Sequence, residues 1–238
     1  MTTLKLDWCS HEAAEYAVMK WHYSKRMPKS KLAKIGVWED GQFKGAVIFG
    51  VGATSDLVKR YRLEPTEGCE LVRVALTKHD TPVSRIVAIA LKMIKREYKG
   101  LRLVVSFADP EHGHVGGIYQ AGGWVYDGRT ASSEEYLVNG RRWHGRALRH
   151  EKPAHLTTKQ AAAAMDPDFK VIPGSVKHRY LMPLDDAMRK QIAPLAKPYP
   201  KRVTRGVGET DSAPQPNEET GGASPTTPLN STDSTGVT

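Results

Sequence analysis

The stretch from Cys69 to Phe107 constrains the fold more than any other. Cys69–Leu76 (CELVRVAL) reads as a strand. Val83, Ile86, Val87, Ala90 and Ile94 lay one apolar stripe along a helix predicted over 82–98. Leu101–Phe107 is an apolar run of strand length. Thr81 then Pro82 supply a cap and the proline favoured at the first helical position, and Gly100 closes the helix. Strand, helix and strand of these lengths imply a parallel pair with a right-handed crossover. Ligands of such sheets sit beyond the carboxyl ends of the strands, here the loops 77–81 and 108–114.

The flanking sequence extends this to a mixed α/β fold. Ser10 caps a helix in which Ala14, Ala17, Val18 and Trp21 recur at helical spacing, with Glu12 in its first turn. Asp40-Gly41, between 35–39 and 43–49, and Asn139-Gly140, between 135–138 and 141–147, are hairpin signals. An amphipathic stretch covers 56–61, a short helix 115–121 and a strand 124–126. Helices are predicted over 157–165 and 185–193, with an extended segment near 175–183. The expectation is an α/β core over 1–150, a mixed sheet flanked by helices. An extension over 151–204 packs on it, and 205–238 form a disordered tail. That tail is Gly, Ser, Thr, Pro, Asn and Glu with almost nothing apolar to bury.

Charge narrows the partners. Residues 1–204 hold 34 Lys and Arg against 21 Asp and Glu, a balance of +13 within a chain of +9. A body this basic attracts polyanions, nucleic acid first, although a solvated basic surface gives the same count. Cys9 and Cys69 make no disulfide framework and suit a reducing setting. No apolar run approaches the roughly 20 residues of a membrane span. Met1–Trp8 lacks the apolar stretch of a signal peptide.

Several groups of residues can carry chemistry. Ser106-Phe107-Ala108-Asp109-Pro110, with His112 and His114, sets a polar cluster at the end of a buried strand. Asp109 can accept from an amine or act as a base; the alternative is a turn cap ahead of Pro110. Three titratable groups at one strand end favour a functional site. Arg73, in an otherwise apolar strand, needs Glu70, Asp109 or a bound anion if buried, and no partner if exposed. Trp21-His22-Tyr23-Ser24-Lys25-Arg26-Met27-Pro28 suits base stacking and phosphate pairing, though a helix end with solvated cations has the same composition. Arg141-Arg142-Trp143-His144-Gly145-Arg146 and Pro198–Arg202, which includes Lys201, read as phosphate-contacting surfaces, with solvated charge as the competing explanation. Cys9, Cys69, His112 and His114 lack zinc-site spacing; no metal ligand set is expected, and the H-x-H pair is the one weak pointer to a metal.

Gly116-Gly117-Ile118-Tyr119-Gln120-Ala121-Gly122-Gly123-Trp124 resembles the "LYEKLGF" segment of the GNAT acetyltransferase superfamily. There a tyrosine protonates the leaving thiolate of coenzyme A. The resemblance implies that role for Tyr119 and the strand-opening aromatic for Trp124; otherwise Tyr119 only packs. The superfamily's Gly-rich R/Q-x-x-G-x-G/A turn, whose N–H groups hold pyrophosphate, is replaced by Lys78-His79-Asp80-Thr81-Pro82-Val83-Ser84-Arg85. It has no glycine, and Pro82 has no N–H. Ser84 and Arg85 remain to meet an anion.

Over 20–203 the chain resembles the Mom family of bacteriophage DNA-modification proteins. The carriers are HYSKRMP, GVWEDGQFKGAVIFGVGA, CELVRVAL, TPVSRIVAIALKMIK, VVSFADPEHGHVGGIYQAGGWVYDG, KHRYLMPLD and PYPKR. The resemblance implies a GNAT-like fold and conversion of adenine to its N6-carbamoylmethyl form in double-stranded phage DNA. That blocks host restriction enzymes, in the cytoplasm of the bacterial host. It places functional positions on His22, Arg73, Ser106, Asp109 and Tyr119. The combined expectation gives catalysis to Asp109, Tyr119, His22 and Ser106, and an anionic part of the donor to Arg73, Ser84 and Arg85. DNA contacts fall to Tyr23, Lys25, Arg26, Arg141, Arg142, Lys201 and Arg202. The sequence does not identify the donor; acetyl-coenzyme A or a related acyl donor is the cofactor candidate. The principal alternative is a GNAT-type acyl-CoA-dependent N-acetyltransferase acting on an amine. An adenine N6 methyltransferase, echoed faintly in Asp109-Pro110, and a non-enzymatic DNA-binding module are the others.

Overall fold

Asp40 and Gly41 close the first hairpin as the sequence implies. Both sit in the left-handed region, at φ 49° and 78°, as a two-residue type I′ turn requires. The computed structural model describes residues 2–52, 56–150 and 155–201. Arg202 and the expected tail over 205–238 lie outside the described residues.

In chain order the strands are β1 (Leu4–Trp8), β2 (Leu32–Glu39), β3 (Gln42–Gly50), β4 (Gly68–Leu76), β5 (Leu103–Ala108), β6 (Val125–Arg129), β7 (Glu134–Val138), β8 (Arg141–His144), β9 (Lys170–Pro173) and β10 (His178–Pro183). The helices are α1 (His11–Trp21), α2 (Val83–Glu97), α3 (Gly117–Ala121), α4 (Gly145–His150), α5 (Thr158–Met165) and α6 (Asp186–Ile192). The main sheet has seven strands in the order β1-β2-β3-β4-β5-β10-β6, and a second sheet has the order β8-β7-β9. In the main sheet β4 and β5 are parallel, while the other neighbours pair antiparallel. This is the α/β mixed sheet flanked by helices.

Alternation along the strands feeds a core on each face. Val47, Phe49 and Val104 pack with Ile86, Val87, Ala90 and Ile94 of α2, and Tyr119 of α3 lies on that face. Ala46 and Ile48 turn the other way, against Ala14, Ala17 and Val18 of α1. Leu103 and Val105 meet Met188 and Ile192 of α6. Each fully buried Ile or Val of the α2 stripe contributes about 1.5–3 kcal/mol. That burial holds the crossover between β4 and β5 against the sheet.

Two boundaries differ from expectation. α2 starts at Val83 with Pro82 as the flanking residue and no side-chain cap. Thr81 is engaged elsewhere, by Glu39. β8 ends at His144, and Gly145–His150 is helical. The segment near 175–183 forms β10, which lies inside the main sheet between β5 and β6.

Candidate active site

The ladder between β4 and β5 stops halfway. It runs only from Gly68 opposite Leu103 to Leu71 opposite Ser106. β4 continues to Leu76 beside β3, and β5 to Ala108 beside β10. The strands therefore part at their carboxyl ends, where a parallel pair places its site.

Ser106 sits at the parting point and is fully buried. Its Oγ is 2.8 Å from Leu71 O and 2.7 Å from Tyr119 Oη. One hydroxyl proton serves one of these contacts. With that proton on Leu71 O, the Tyr119 hydroxyl donates to Ser106. Tyr119 projects from the single-turn α3, and its ring packs 5.1 Å from both Trp124 and Tyr180. Burial pushes its phenol up to about 12, so it keeps its proton at neutral pH.

Arg73 points a partly buried guanidinium into this region. Its Nη1 donates to Val72 O at 2.7 Å, while its buried Nε has no hydrogen-bond partner. Burial lowers its basicity, and Tyr23 and Glu70 are close enough to act electrostatically in the opposite sense. An unsatisfied buried donor costs about 1–3 kcal/mol.

His22 follows the end of α1, where its backbone N–H closes on Val18 O. Its ring is buried, and Nδ1 accepts the Ser24 N–H at 3.1 Å. The neutral ring then carries its proton on Nε2. Burial lowers its pKa to about 4, helped by Arg73, His114, His112 and Lys25. Tyr23 stacks 4.3 Å from His22 and 4.5 Å from His112, with His114 at 5.3 Å. The His22–Tyr23 corner thus meets the loop after β5.

Asp109 both caps and is held. It is buried, and Oδ1 accepts the Glu111 N–H at 3.1 Å, capping the 3₁₀ turn Pro110–His112. Ser175 Oγ donates to the same oxygen at 2.6 Å, and Lys177 Nζ lies 3.4 Å from Oδ2. Burial raises the carboxyl, but Ser175, the Glu111 N–H and Lys177 together bring it below the ordinary value. Asp109 is ionised at neutral pH.

The turn entering α2 carries its own anion. Glu39, buried at the end of β2, accepts the N–H of Thr81 at 2.8 Å and of Asp80 at 2.9 Å. The Thr81 hydroxyl and then these N–H groups hold the carboxyl at about 2, with His79 adding. These donors are spent, and Pro82 offers none. The turn does not fit the pyrophosphate of coenzyme A. Ser84 and the exposed Arg85 stand in the first turn of α2 beyond it.

The expected DNA contacts are dispersed. Tyr23, Lys25 and Arg26 are exposed beside His22. Arg141 is exposed with its guanidinium 4.7 Å over Trp143. Arg142 pairs with Glu111 at 3.0 Å and with Glu135, tying β8 to the loop after Asp109. Lys201 is exposed near the end of the described residues. Among the described residues no group of three or more His, Cys, Asp or Glu is placed to hold a metal ion. No described helix is long and apolar enough to cross a membrane.

Glu39, Ser175 and Lys177 were not expected at the site. Glu39 reads as the last residue before a hairpin turn. Ser175 and Lys177 lie 66 and 68 positions beyond Asp109, with no local pattern linking them.

The model of the Mom protein family matches this chain over residues 3–201. The chain belongs to the Mom protein family. A Mom relative, "Methylcarbamoylase mom" of Escherichia phage Mu, is 26% identical over 145 residues, which cover 59% of this chain and 60% of the relative. The chain thus spans about three fifths of that Mom protein's length. Among solved structures, a protein from Acinetobacter baylyi ADP1 provisionally classed as an acetyltransferase aligns at TM-score 0.42 and 14% identity, covering 78% of this Mom chain and 94% of its own. A similarly classed protein from Sphaerobacter thermophilus DSM 20745 aligns at TM-score 0.34 and 9% identity, covering 76% and 94%.

Proposed function

We propose that the chain alkylates the exocyclic amine of adenine in double-stranded phage DNA, giving N6-carbamoylmethyladenine. The modification shields the DNA from host restriction in the bacterial cytoplasm. The observation that carries this reading is the parting of β4 and β5. At that end of the sheet stand a protonated phenol and an arginine donor, with an ionised carboxylate just after β5, held from the β10 side. Membership of the Mom family, and the phage Mu relative's name, supply the reaction class.

The adenine amine is a weak nucleophile because its lone pair is delocalised into the ring. An enzyme must take the base out of the duplex, desolvate it and aim it at the electrophile. In this reading the N6 lone pair attacks the CH₂ carbon of a carbamoylmethyl donor. The N6–C bond forms as the bond from that carbon to the leaving group breaks. Asp109 accepts the N6 proton, and Tyr119 gives its proton to the departing group. Ser106 holds the Tyr119 oxygen in line. Arg73 takes an anionic or carbonyl part of the donor through its guanidinium. His22, neutral, offers Nε2–H without adding charge. Ser84 and Arg85 meet an anionic portion of the donor if it extends toward α2.

The exposed rim takes the DNA. Tyr23 stacks on a base, and Lys25, Arg26, Arg141 and Lys201 meet phosphates, a role the sequence also gives to Arg202. Arg142 contributes by holding the 110–112 turn, given its two carboxylate partners. The Glu39 carboxylate in the α2 turn argues against the acyl-CoA-dependent alternative.

The test is expression in a bacterium, digestion of plasmid DNA to nucleosides and mass spectrometry, beside Asp109→Asn. A deoxyadenosine carrying the carbamoylmethyl increment, lost in the variant, is the expected result. Unmodified DNA from soluble protein would overturn the reading.

A further inference from the structure

The loop between β9 and β10 reaches back to Asp109, and it is anchored along its length. Gly174 N–H donates to Ser133 O at 2.6 Å, and Ser132 Oγ donates to Gly174 O at 3.1 Å. Lys177 N–H donates to Thr130 Oγ1 at 3.0 Å, and Thr130 N–H donates to Lys177 O at 2.8 Å. One residue later the chain enters the main sheet, with His178 opposite Ala108, the residue before Asp109. The positions of Ser175 and Lys177 are thus set by backbone ladders on both sides.

We propose that Ser175 and Lys177 are the positioning residues of Asp109, presenting one defined carboxylate oxygen to the substrate amine. The inference rests on the role given to Asp109 above. Oδ1 is filled by two donors, Ser175 Oγ–H at 2.6 Å and the Glu111 N–H at 3.1 Å. That leaves Oδ2, which among the described residues meets the Lys177 ammonium, at 3.4 Å. The carboxylate side chain is 9% exposed, whereas Lys177 is 45% exposed and reaches in from the surface. An amine N–H therefore finds its acceptor on Oδ2. The ammonium beside that oxygen keeps it ionised until the proton arrives. Groups facing Asp109 also include His114, from its own loop.

A turn cap needs only the Glu111 contact. Two further donors, brought from 66 and 68 residues away in sequence, exceed what that cap requires. They fix the rotation of the carboxyl plane, which decides which oxygen is presented.

Two measurements test this on the full chain. The first is modified deoxyadenosine in plasmid DNA from cells expressing Ser175→Ala, Ser175→Thr, Lys177→Met and Lys177→Arg. Loss of the charge-assisted hydrogen bond in Ser175→Ala, and of the ion pair in Lys177→Met, predicts a fall of about tenfold in modification for each. The Thr and Arg variants restore most of it, at unchanged melting temperature. The second is a ¹³C titration of the Asp109 carboxyl, assigned with Asp109→Asn. Its midpoint rises in Ser175→Ala and in Lys177→Met. Wild-type modification by the Ala and Met variants would overturn the proposal. So would an unmoved Asp109 midpoint, or Thr and Arg variants as defective as Ala and Met. If wild-type protein itself modifies nothing, the proposed function falls, and the titration alone still decides whether these residues set the carboxylate.

Discussion

Tyr119 and Ser106 share a hydrogen bond of 2.7 Å at the point where β4 and β5 separate. Because Ser106 also reaches Leu71 O at 2.8 Å, the phenol is tied through one serine to the last residue of β4 that pairs with β5. The phenol is thereby registered against the sheet rather than left on a single helical turn.

Tyr119→Phe removes that proton and little else. The ring still packs between Trp124 and Tyr180, and Ser106 still donates to Leu71 O. Stability is expected to fall by about 1 kcal/mol, the net worth of one hydrogen bond. Modification of plasmid adenine is expected to fall about 10²-fold or more, the usual contribution of a general acid. Nucleoside mass spectrometry and a thermal melt on the same preparation check both. Undiminished modification would remove Tyr119 from the chemistry.

The backbone ahead of α3 depends on Gly116. It adopts φ 82°, and a Cβ there would stand 2.3 Å from the Tyr180 ring. Gly116→Ala combines left-handed strain of about 1 kcal/mol with an overpacking penalty of about 1–3 kcal/mol. The Tyr180 hydroxyl donates to Val115 O, so a displaced ring also loosens the loop that leads into α3. Urea denaturation should show destabilisation near the sum, about 2–4 kcal/mol. Gly117→Ala, which meets nothing within 4 Å, should stay near wild type. Equal stability of the two variants would contradict the packing argument.

The elements were legible where local chemistry decides them. Ser10 accepts the Ala13 N–H as an N-cap should. Thr157 and Gln160 form a capping box. The stripe of α2 is buried as its spacing implies. Of the candidate residues, Arg73 and Ser106 lie at one end of the sheet because the strand–helix–strand unit directs them there, while Tyr119 comes from α3 and His22 from the end of α1. Pairing across long separations was not legible. Nothing in His178–Pro183 says that it enters between β5 and β6 rather than at an edge. For the same reason Ser175 and Lys177 carry no signal that they meet Asp109. Glu39 was hidden differently: besides the Thr81 hydroxyl, its partners are the backbone N–H groups of Asp80 and Thr81, about 40 residues on, which have no side-chain signature.

Glu39 should make the fold sensitive to acid. Its carboxyl is held at about 2 against an ordinary 4.5, chiefly by the Thr81 hydroxyl and the Asp80 N–H. A depressed carboxyl stabilises the fold fully above its unfolded value. That contribution is lost as pH falls from 4.5 toward 2. Glu39→Gln cannot ionise, so its stability should decline less steeply across this window, from a lower starting point. Denaturant midpoints at several pH values measure both slopes. The same filled turn predicts that coenzyme A leaves the melting temperature of the wild-type protein unchanged. A saturable upward shift would show that the turn accepts a diphosphate after all.

His22 adds a second dependence, in a higher window. Burial, then the charges of Arg73, His114, His112 and Lys25, hold the imidazole at about 4 rather than 6.5. As pH falls through 6.5 the unfolded chain binds a proton at this position, and the folded chain does not until about 4. Stability therefore declines across that interval and levels off below it. His22→Asn keeps an acceptor near Nδ1 for the Ser24 N–H but has no proton to bind. Its stability should be nearly flat between these limits, apart from the other titrating groups. Urea denaturation of wild type and variant at several pH values between them gives the difference in slope. If the two curves run parallel, His22 is not held neutral by the fold. The role given to its Nε2–H then loses its basis, because an imidazolium beside Arg73 would repel a cationic donor and compete for an anionic one.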